Sequence, residues 1–307
     1  MSVSATCPLE LWLPALERFD PAHPLRRWLA QSDRVDDGPQ GYLGGLAGYF
    51  ESGTTPVPAA ALTRELLAGD AGDATWLCAD PAWVQPDMNG VRLLACGQMQ
   101  LQEDEAREFA ETLRPVFDEA GIRLEISTPD RWHLRLPAGL PLPVLAAPEQ
   151  ALGEDLYQHL PQGPEGRRWR VLTNDVQVLL HQHPRNAARS AAGQPPVNSV
   201  WLWGAGALPA CVRSRFGGVV GDDLLLNALA ERAGVLRQPR TPDSMAAARE
   251  GWLVDLQDLP VADIERDWWP RLQALVLRQP AHISFASGER WLHLPWHRWR
   301  FWRGNRR

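Results

Sequence analysis

The sequence predicts an α/β protein with a mixed, largely parallel sheet and helices on both faces. Three observations carry this prediction. Short apolar runs, among them Leu9–Leu13, Ala74–Asp80, Val200–Trp203 and Trp252–Leu256, read as strands buried on both sides. Amphipathic stretches of helical period lie between such runs. Through the second half, strand and helix alternate as they do in parallel sheets. The 307 residues are read as a single α/β domain over 1–307. The stretch 137–150 is the place where it would divide into two lobes.

In chain order, Leu9–Leu13 is a short strand stopped by Pro14, and Pro24–Ala30 is a helix with proline in its first turn. Residues 38–53 are glycine-rich. They contain neither GxGxxG nor GxxxxGK[ST], so a mobile connection or close-packing turn is favoured over a phosphate cradle. Ala74–Asp80 is a buried strand ending at Pro81, and Val91–Ala95 is another. Gln102–Ala120 is an amphipathic helix that places Ala106, Phe109, Ala110, Leu113 and Phe117 on one face, with Gly121 closing it. Ile122–Ile126 and Trp132–Leu136 alternate as strands. Pro137, Pro141, Pro143 and Pro148 then exclude regular structure.

A central helix follows, then the strand Val200–Trp203 and a short one at Gly218–Val220. Asp222 or Asp223 caps a helix that Gly234 ends. Trp252–Leu256 is a further buried strand, and Ile264–Leu277 is helical across Pro270. His282–Phe285 and Trp291–Leu294 form a hairpin. The end of the chain carries Trp296, Trp299 and Trp302 at intervals of three, read as a final helix docking a tryptophan face.

Composition narrows the function classes. Apolar residues make up 45% and charged residues 22%, as in ordinary globular proteins. A formal net charge of −6 argues against general affinity for nucleic acid or anionic membrane. Cys7, Cys78, Cys96 and Cys211 form no CxxC pair, which points to free thiols in a reducing, cytoplasmic setting. No basic, apolar leader opens the sequence, and no run of about eighteen apolar residues occurs. The excess of Trp, 15 against 3 Tyr and 7 Phe, is mostly expected in the core.

The densest mixture of polar and apolar anchors is 171–206. On a helix, Trp169, Leu172, Val176, Leu179 and His183 form an apolar stripe, while Arg170, Asn174, Gln177 and His181 form a polar row. Such a row lines a pocket or anchors neighbouring loops. The strand VNSVWLWGAG is expected to release Gly204-Ala205-Gly206 at the edge of the sheet, where ligands approach backbone N–H groups. Asn174, Gln177, His181, Asn198, Gly204 and Gly206 are therefore the candidate ligand-binding residues. His181 and His183, two apart on a helix, point in opposing directions and make a poor metal pair. Asp80 before Pro81 is either catalytic or a turn former, the latter being commoner. Ser199 lacks a surrounding GxSxG.

TNDVQVLLHQHPRN (173–186) followed by PVNSVWLWGAG (196–206) resembles the paired signature of a bacterial family of RpfE-type regulatory proteins, also named phosphoglycerate mutase-like. ATWLCADP (74–81), DRWHLRLP (130–137) and HRWRFWR (297–303) extend the likeness. Asp175 stands where that family usually has Glu, and Ala82-Trp83 where it has Val-His. The mutase name implies an alkaline-phosphatase-like fold with two metal ions, an activated serine and Asp and His ligands. No Asp-Gly follows the first strand, LELWLPAL, and none of the 8 His has ligand spacing.

The reading is thus a degenerate relative that needs no cofactor, has no metal site and acts by binding. Its partner is a small-molecule ligand or a protein, with neither nucleic acid nor membrane involved. The alternatives are a metal-dependent phosphoglycerate mutase-like phosphotransferase and a protein-interaction scaffold.

Overall fold

A computed structural model describes residues 7–88 and 90–303. The chain divides into two compact units. The first combines the residues up to Gly53 with those from Ala210 onward, and the second is Thr54–Pro209. The proline-rich run expected at a lobe boundary lies inside the second unit.

The chain opens in the first unit with β1 (Leu9–Leu13), α1 (Pro24–Gln31), β2 (Asp33–Arg34), α2 (Tyr42–Tyr49) and β3 (Phe50–Glu51). Half of the glycine-rich stretch is therefore helical. It crosses to the second unit with α3 (Ala59–Ala68), β4 (Thr75–Asp87), β5 (Gly90–Cys96), α4 (Glu103–Glu119), β6 (Arg123–Thr128) and β7 (Arg131–Leu136). Short turns α5 (Pro148–Ala151) and α6 (Leu156–His159) lead to α7 (Gly163–His181), α8 (Arg185–Ala191) and β8 (Ser199–Ala207). Back in the first unit come β9 (Arg213–Ser214), β10 (Gly218–Val220), α9 (Leu224–Arg232), β11 (Leu236–Gln238), α10 (Pro242–Ala247) and β12 (Trp252–Asp255). The chain continues with α11 (Val261–Asp263), α12 (Trp269–Arg278), β13 (Ala281–Phe285) and β14 (Arg290–His293). A π-turn over Ile264–Trp268 precedes α12 and leaves Pro270 in the first turn, where its missing N–H costs nothing.

In the first unit seven strands run in the order β11-β10-β12-β1-β13-β14-β2. The first five are parallel to their neighbours, while β14 and β2 are antiparallel. Every residue of β1 is buried. Its Leu9, Leu11 and Leu13 join Leu25 and Leu29 of α1 and Leu272, Leu275 and Val276 of α12 in one core. Its alternate residues, Glu10 and Trp12, face the opposite side, where Tyr42 and Tyr49 of α2 pack on the indole. The sheet is thus mixed and largely parallel, with helices on both faces.

The second unit is built differently. Its five strands are all antiparallel, with β5 and β7 sharing one edge of β4 and β8 on the other. The strand expected to end at Pro81 continues to Asp87. Pro81 sits where the neighbour changes from β7, which pairs through Cys78, to β5, which pairs from Ala82. No ladder donor is needed there, and the Pro81 carbonyl accepts the Gly97 N–H at 2.9 Å. Helices α4 and α7 bury Phe109, Leu113, Trp169, Leu172 and Val176 against one face.

The end of the chain departs from its expected form. Pro295–Trp299 and Phe301–Arg303 are short 3₁₀ turns, and Trp296, Trp299 and Trp302 are 58%, 62% and 62% exposed. What docks is the polar face. His297 is fully buried, and Arg300 and Arg303 reach Asp33 at 2.6 and 2.8 Å. These pairs hold the Asp33 carboxyl down at about 2. A period of three places every third residue on one side of a 3₁₀ turn, so anchoring the arginines turns the tryptophans outward.

Candidate functional site

Ligands of open α/β sheets gather at the carboxyl edge of the parallel strands, which here belongs to the first unit. The registers of β12, β1 and β13 align Asp255, Trp12 and Ser284 in one row, and Leu253, Glu10 and His282 two residues earlier on the same face. Trp12 fills the middle of the edge. Its indole is stacked on Tyr42 at 6.3 Å, meets Tyr49 edge-on at 5.3 Å, and is 1% exposed. α2 crosses the indole at Gly45, where a Cβ would collide with the ring. Tryptophan and a glycine-bearing helix thus close the place where a substrate would enter.

Beside Trp12 the edge is acidic. The Tyr42 hydroxyl donates to Asp223 Oδ1 at 2.7 Å, and the same oxygen accepts the Leu226 N–H that begins α9. Arg240 donates Nε to the Asp255 carbonyl at 3.0 Å and Nη2 to Asp258 Oδ1 at 2.6 Å, while its own N–H donates to Asp222 Oδ1 at 2.9 Å. The Asp255 side chain is completely buried. Its Oδ1 accepts the Gln257 N–H at 3.1 Å, and its Oδ2 has no hydrogen-bond partner among the described residues. Arg240 Nη2 stops 3.9 Å from it. Burial pushes the Asp255 carboxyl well above the usual carboxylate range, Asp223 and Asp258 add to the rise, and Arg240 offsets part of it.

Asp222, Asp223 and Asp258 thus gather around Arg240 at this part of the edge. Among the described residues no group of three or more His, Cys, Asp or Glu is placed to hold a metal ion. Burial and the neighbouring carboxyl groups oppose ionisation of Asp255, and the Asp223 oxygen is committed to a cap and a tyrosine. The residues present do not fit the two-metal centre that a mutase resemblance implies.

The six residues expected to converge fall into separate environments. Asn174 and His181 are exposed on α7, the latter at its last position. Gln177 alone turns inward, donating to Ser199 Oγ at 3.1 Å beside a cavity of about 30 Å³, room for about two waters. Asn198 clasps the Val84 backbone, accepting its N–H at 2.8 Å and donating to its carbonyl at 2.7 Å. Gly204 and Gly206 lie within β8, an antiparallel strand, rather than at the edge of the parallel sheet. Their positive φ values, 65° and 153°, accompany close packing: a Cβ would stand 2.7 Å from Ala59 and 2.6 Å from Pro58. The glycines admit α3, not a ligand. α7 ends at His181, so His183 leaves the helix to pack on Phe109 at 4.5 Å.

Asp80 is not a turn former. It is buried in mid-strand, accepts Trp203 Nε1 at 2.8 Å and pairs with Arg131 Nε at 3.0 Å. Sequence reasoning passed over Glu10, Trp12 and Asp255. The signal was available, since LELWL and WLVD each carry one charge inside an otherwise apolar strand, as WLCAD does.

No protein-family profile matches the chain. Parts of it are similar to curated enzymes. A probable 2,3-bisphosphoglycerate-independent phosphoglycerate mutase of Geobacter sulfurreducens is 38% identical over 72 residues, 23% of this chain and 18% of that protein. Another, from Methanothrix thermoacetophila, is 28% identical over 113 residues, 37% of this chain and 28% of its own length. The chain therefore spans less than a third of these relatives. The structure of the PH0037 protein from Pyrococcus horikoshii is similar in fold, with a TM-score of 0.50 and 13% identity over 94% of this chain and 87% of that one. Part of the chain is thus related to phosphoglycerate mutases, and its fold is mixed α/β.

Proposed function

We propose that this chain is an RpfE-type regulatory relative of the cofactor-independent phosphoglycerate mutases that acts by binding rather than by catalysis. On this reading the fold is a degenerate alkaline-phosphatase-like one, and the protein works in the reducing cytoplasm, with which its four free cysteines agree. Among the described residues no helix is long and apolar enough to cross a membrane.

One observation carries the reading. The carboxyl edge of the parallel sheet is closed by Trp12 between Tyr42 and Tyr49, and its carboxyl groups are committed to Arg240 and to a helix cap or, at Asp255, buried with the carboxyl pKa pushed up. A mutase needs that edge open and its carboxylates ionised to hold metal.

The direct test is a coupled assay for interconversion of 2- and 3-phosphoglycerate with manganese or zinc supplied. The expected rate equals that of a protein-free control. Saturable, metal-dependent turnover in the pure protein would instead establish the alternative, a working phosphotransferase.

A further inference from the structure

The outward-facing tryptophans at the end of the chain have no part in the proposed function. Trp296, Trp299 and Trp302 are each more than half exposed, whereas every other tryptophan is buried or half-buried. The opposite side of these turns is firmly anchored. His297 is fully buried, and its Nδ1 accepts the Leu294 N–H at 3.3 Å. Arg300 donates to the Gln31 carbonyl at 3.4 Å and to Asp33 at 2.6 Å, and Arg303 reaches the same carboxylate at 2.8 Å. Rings continue inward from Trp296. It meets His297 edge-on at 6.0 Å, His297 meets His293 at 5.6 Å, and His293 lies 6.2 Å from Trp28. The turns thus sit on a packed base and hold their indoles in water, forgoing the gain that burial of so much apolar surface would bring.

Charge is as unevenly placed as the rings. None of the chain's 37 acidic side chains follows Glu289, while Arg298, Arg300, Arg303, Arg306 and Arg307 do, the last two beyond the described residues. The net charge of −6 therefore averages an acidic body and a basic end, and it does not oppose an anionic surface that meets the end alone. Arg298 is exposed, and its guanidinium lies over the Trp299 ring at 5.1 Å. Indoles flanked by arginines suit the interface of an anionic bilayer. The ring sits at headgroup level with its apolar body toward the acyl chains, and the guanidinium meets the lipid's negative charge.

Other occupants fit this surface less well. A nucleic acid draws most of its affinity from neutralised phosphates. Here Arg300 and Arg303 are paired with Asp33, and Arg298 covers a face of Trp299 on which a base would stack. A bilayer draws on buried apolar area, with charge adding to it. A second copy of the chain would set one basic end against another.

We propose that the turns Pro295–Trp299 and Phe301–Arg303 are an interfacial anchor that seats Trp296, Trp299 and Trp302 in the headgroup region of an anionic lipid bilayer. The anchor lies on the bilayer and spans nothing. It goes beyond the proposed function, and neither depends on the other.

The test mixes the full chain with vesicles of phosphatidylglycerol or of phosphatidylcholine and measures binding by co-sedimentation. Saturable binding to the anionic vesicles is expected, about tenfold or more tighter than to the neutral ones and weakened as salt is raised. Brominated acyl chains quench only rings that enter the bilayer, so they should quench the parent more than a double variant carrying Trp296→Ala and Trp299→Ala. That variant should bind about tenfold or more weakly, and Arg298→Gln about fivefold more weakly. These side chains are exposed, so both variants should melt with the parent. If the double variant does not fold, Arg298→Gln carries the comparison.

No binding to anionic vesicles overturns the inference, as does binding equal in parent and variants. Tighter binding of single-stranded oligothymidylate that is lost with the tryptophans overturns it too, giving the surface to nucleic acid. Self-association lost with the same residues overturns it in favour of a second copy. None of these results bears on catalysis.

Discussion

At the scale of single residues, burial sets the behaviour of the polar groups. Asp255 has a carboxyl pKa raised by burial and by Asp223 and Asp258. The folded state therefore binds a proton that the unfolded chain has released, and stability falls as pH rises from the ordinary aspartate pKa toward the raised one. Each pH unit within that window costs about 1.4 kcal/mol. Asp255→Asn keeps the shape without the titration, so it should melt no lower than the parent at neutral pH and flatten the pH dependence. Thermal unfolding between about pH 4 and 8 reads this, and a large loss of stability at neutral pH would show an ionised, partnered carboxylate instead. Asn198 makes two hydrogen bonds to the Val84 backbone. Asn198→Ala should cost about 1–3 kcal/mol in urea unfolding, whereas the exposed Asn174→Ala and His181→Ala should each stay within about 0.5 kcal/mol. Equal losses at all three positions would restore the shared polar row that the helical spacing suggests.

At the scale of elements, most strands and helices were legible because their signals are local. Leu9–Leu13, Gly218–Val220 and the β13–β14 hairpin stand within a residue or so of their expected places, and Asp223 caps α9 as its position implies. What was not legible depended on partners distant in sequence. β8 reads as an apolar strand, but nothing in VNSVWLWGAG says that its neighbour is the antiparallel β4. The consequence for Gly204 and Gly206 is that they admit a helix rather than a ligand. The tryptophan series at the end has helical character only if the turn is an α-helix; with the tighter 3₁₀ turn, Asp33 captures Arg300 and Arg303 and the rings face outward. α2 was obscured because glycine is a poor helix former, yet Gly45 is what lets it approach Trp12. Gly45→Ala should therefore cost more than the helix propensity it gains, about 1–3 kcal/mol by overpacking. Circular dichroism and urea unfolding would check it, and a stabilised variant would mean that the indole has room to move.

At the scale of the whole chain, two units of different construction carry the account. A mixed, largely parallel sheet takes its first strand from one end of the chain and most of the others from the far end, and an antiparallel sheet occupies the middle. The fold class was legible because buried apolar strands leave a readable pattern. The interruption of the first sheet by the second was not, since such an insertion is recorded in contacts rather than in periodicity. The carboxyl edge of that sheet is occupied by a packed tryptophan and by carboxyl groups committed to structure. The central proposal is that this edge holds no metal. Equilibrium binding of manganese to the pure, chelator-stripped chain tests it most directly. The account predicts no stoichiometric binding, whereas about two manganese ions per chain, the complement of a two-metal site, would contradict it.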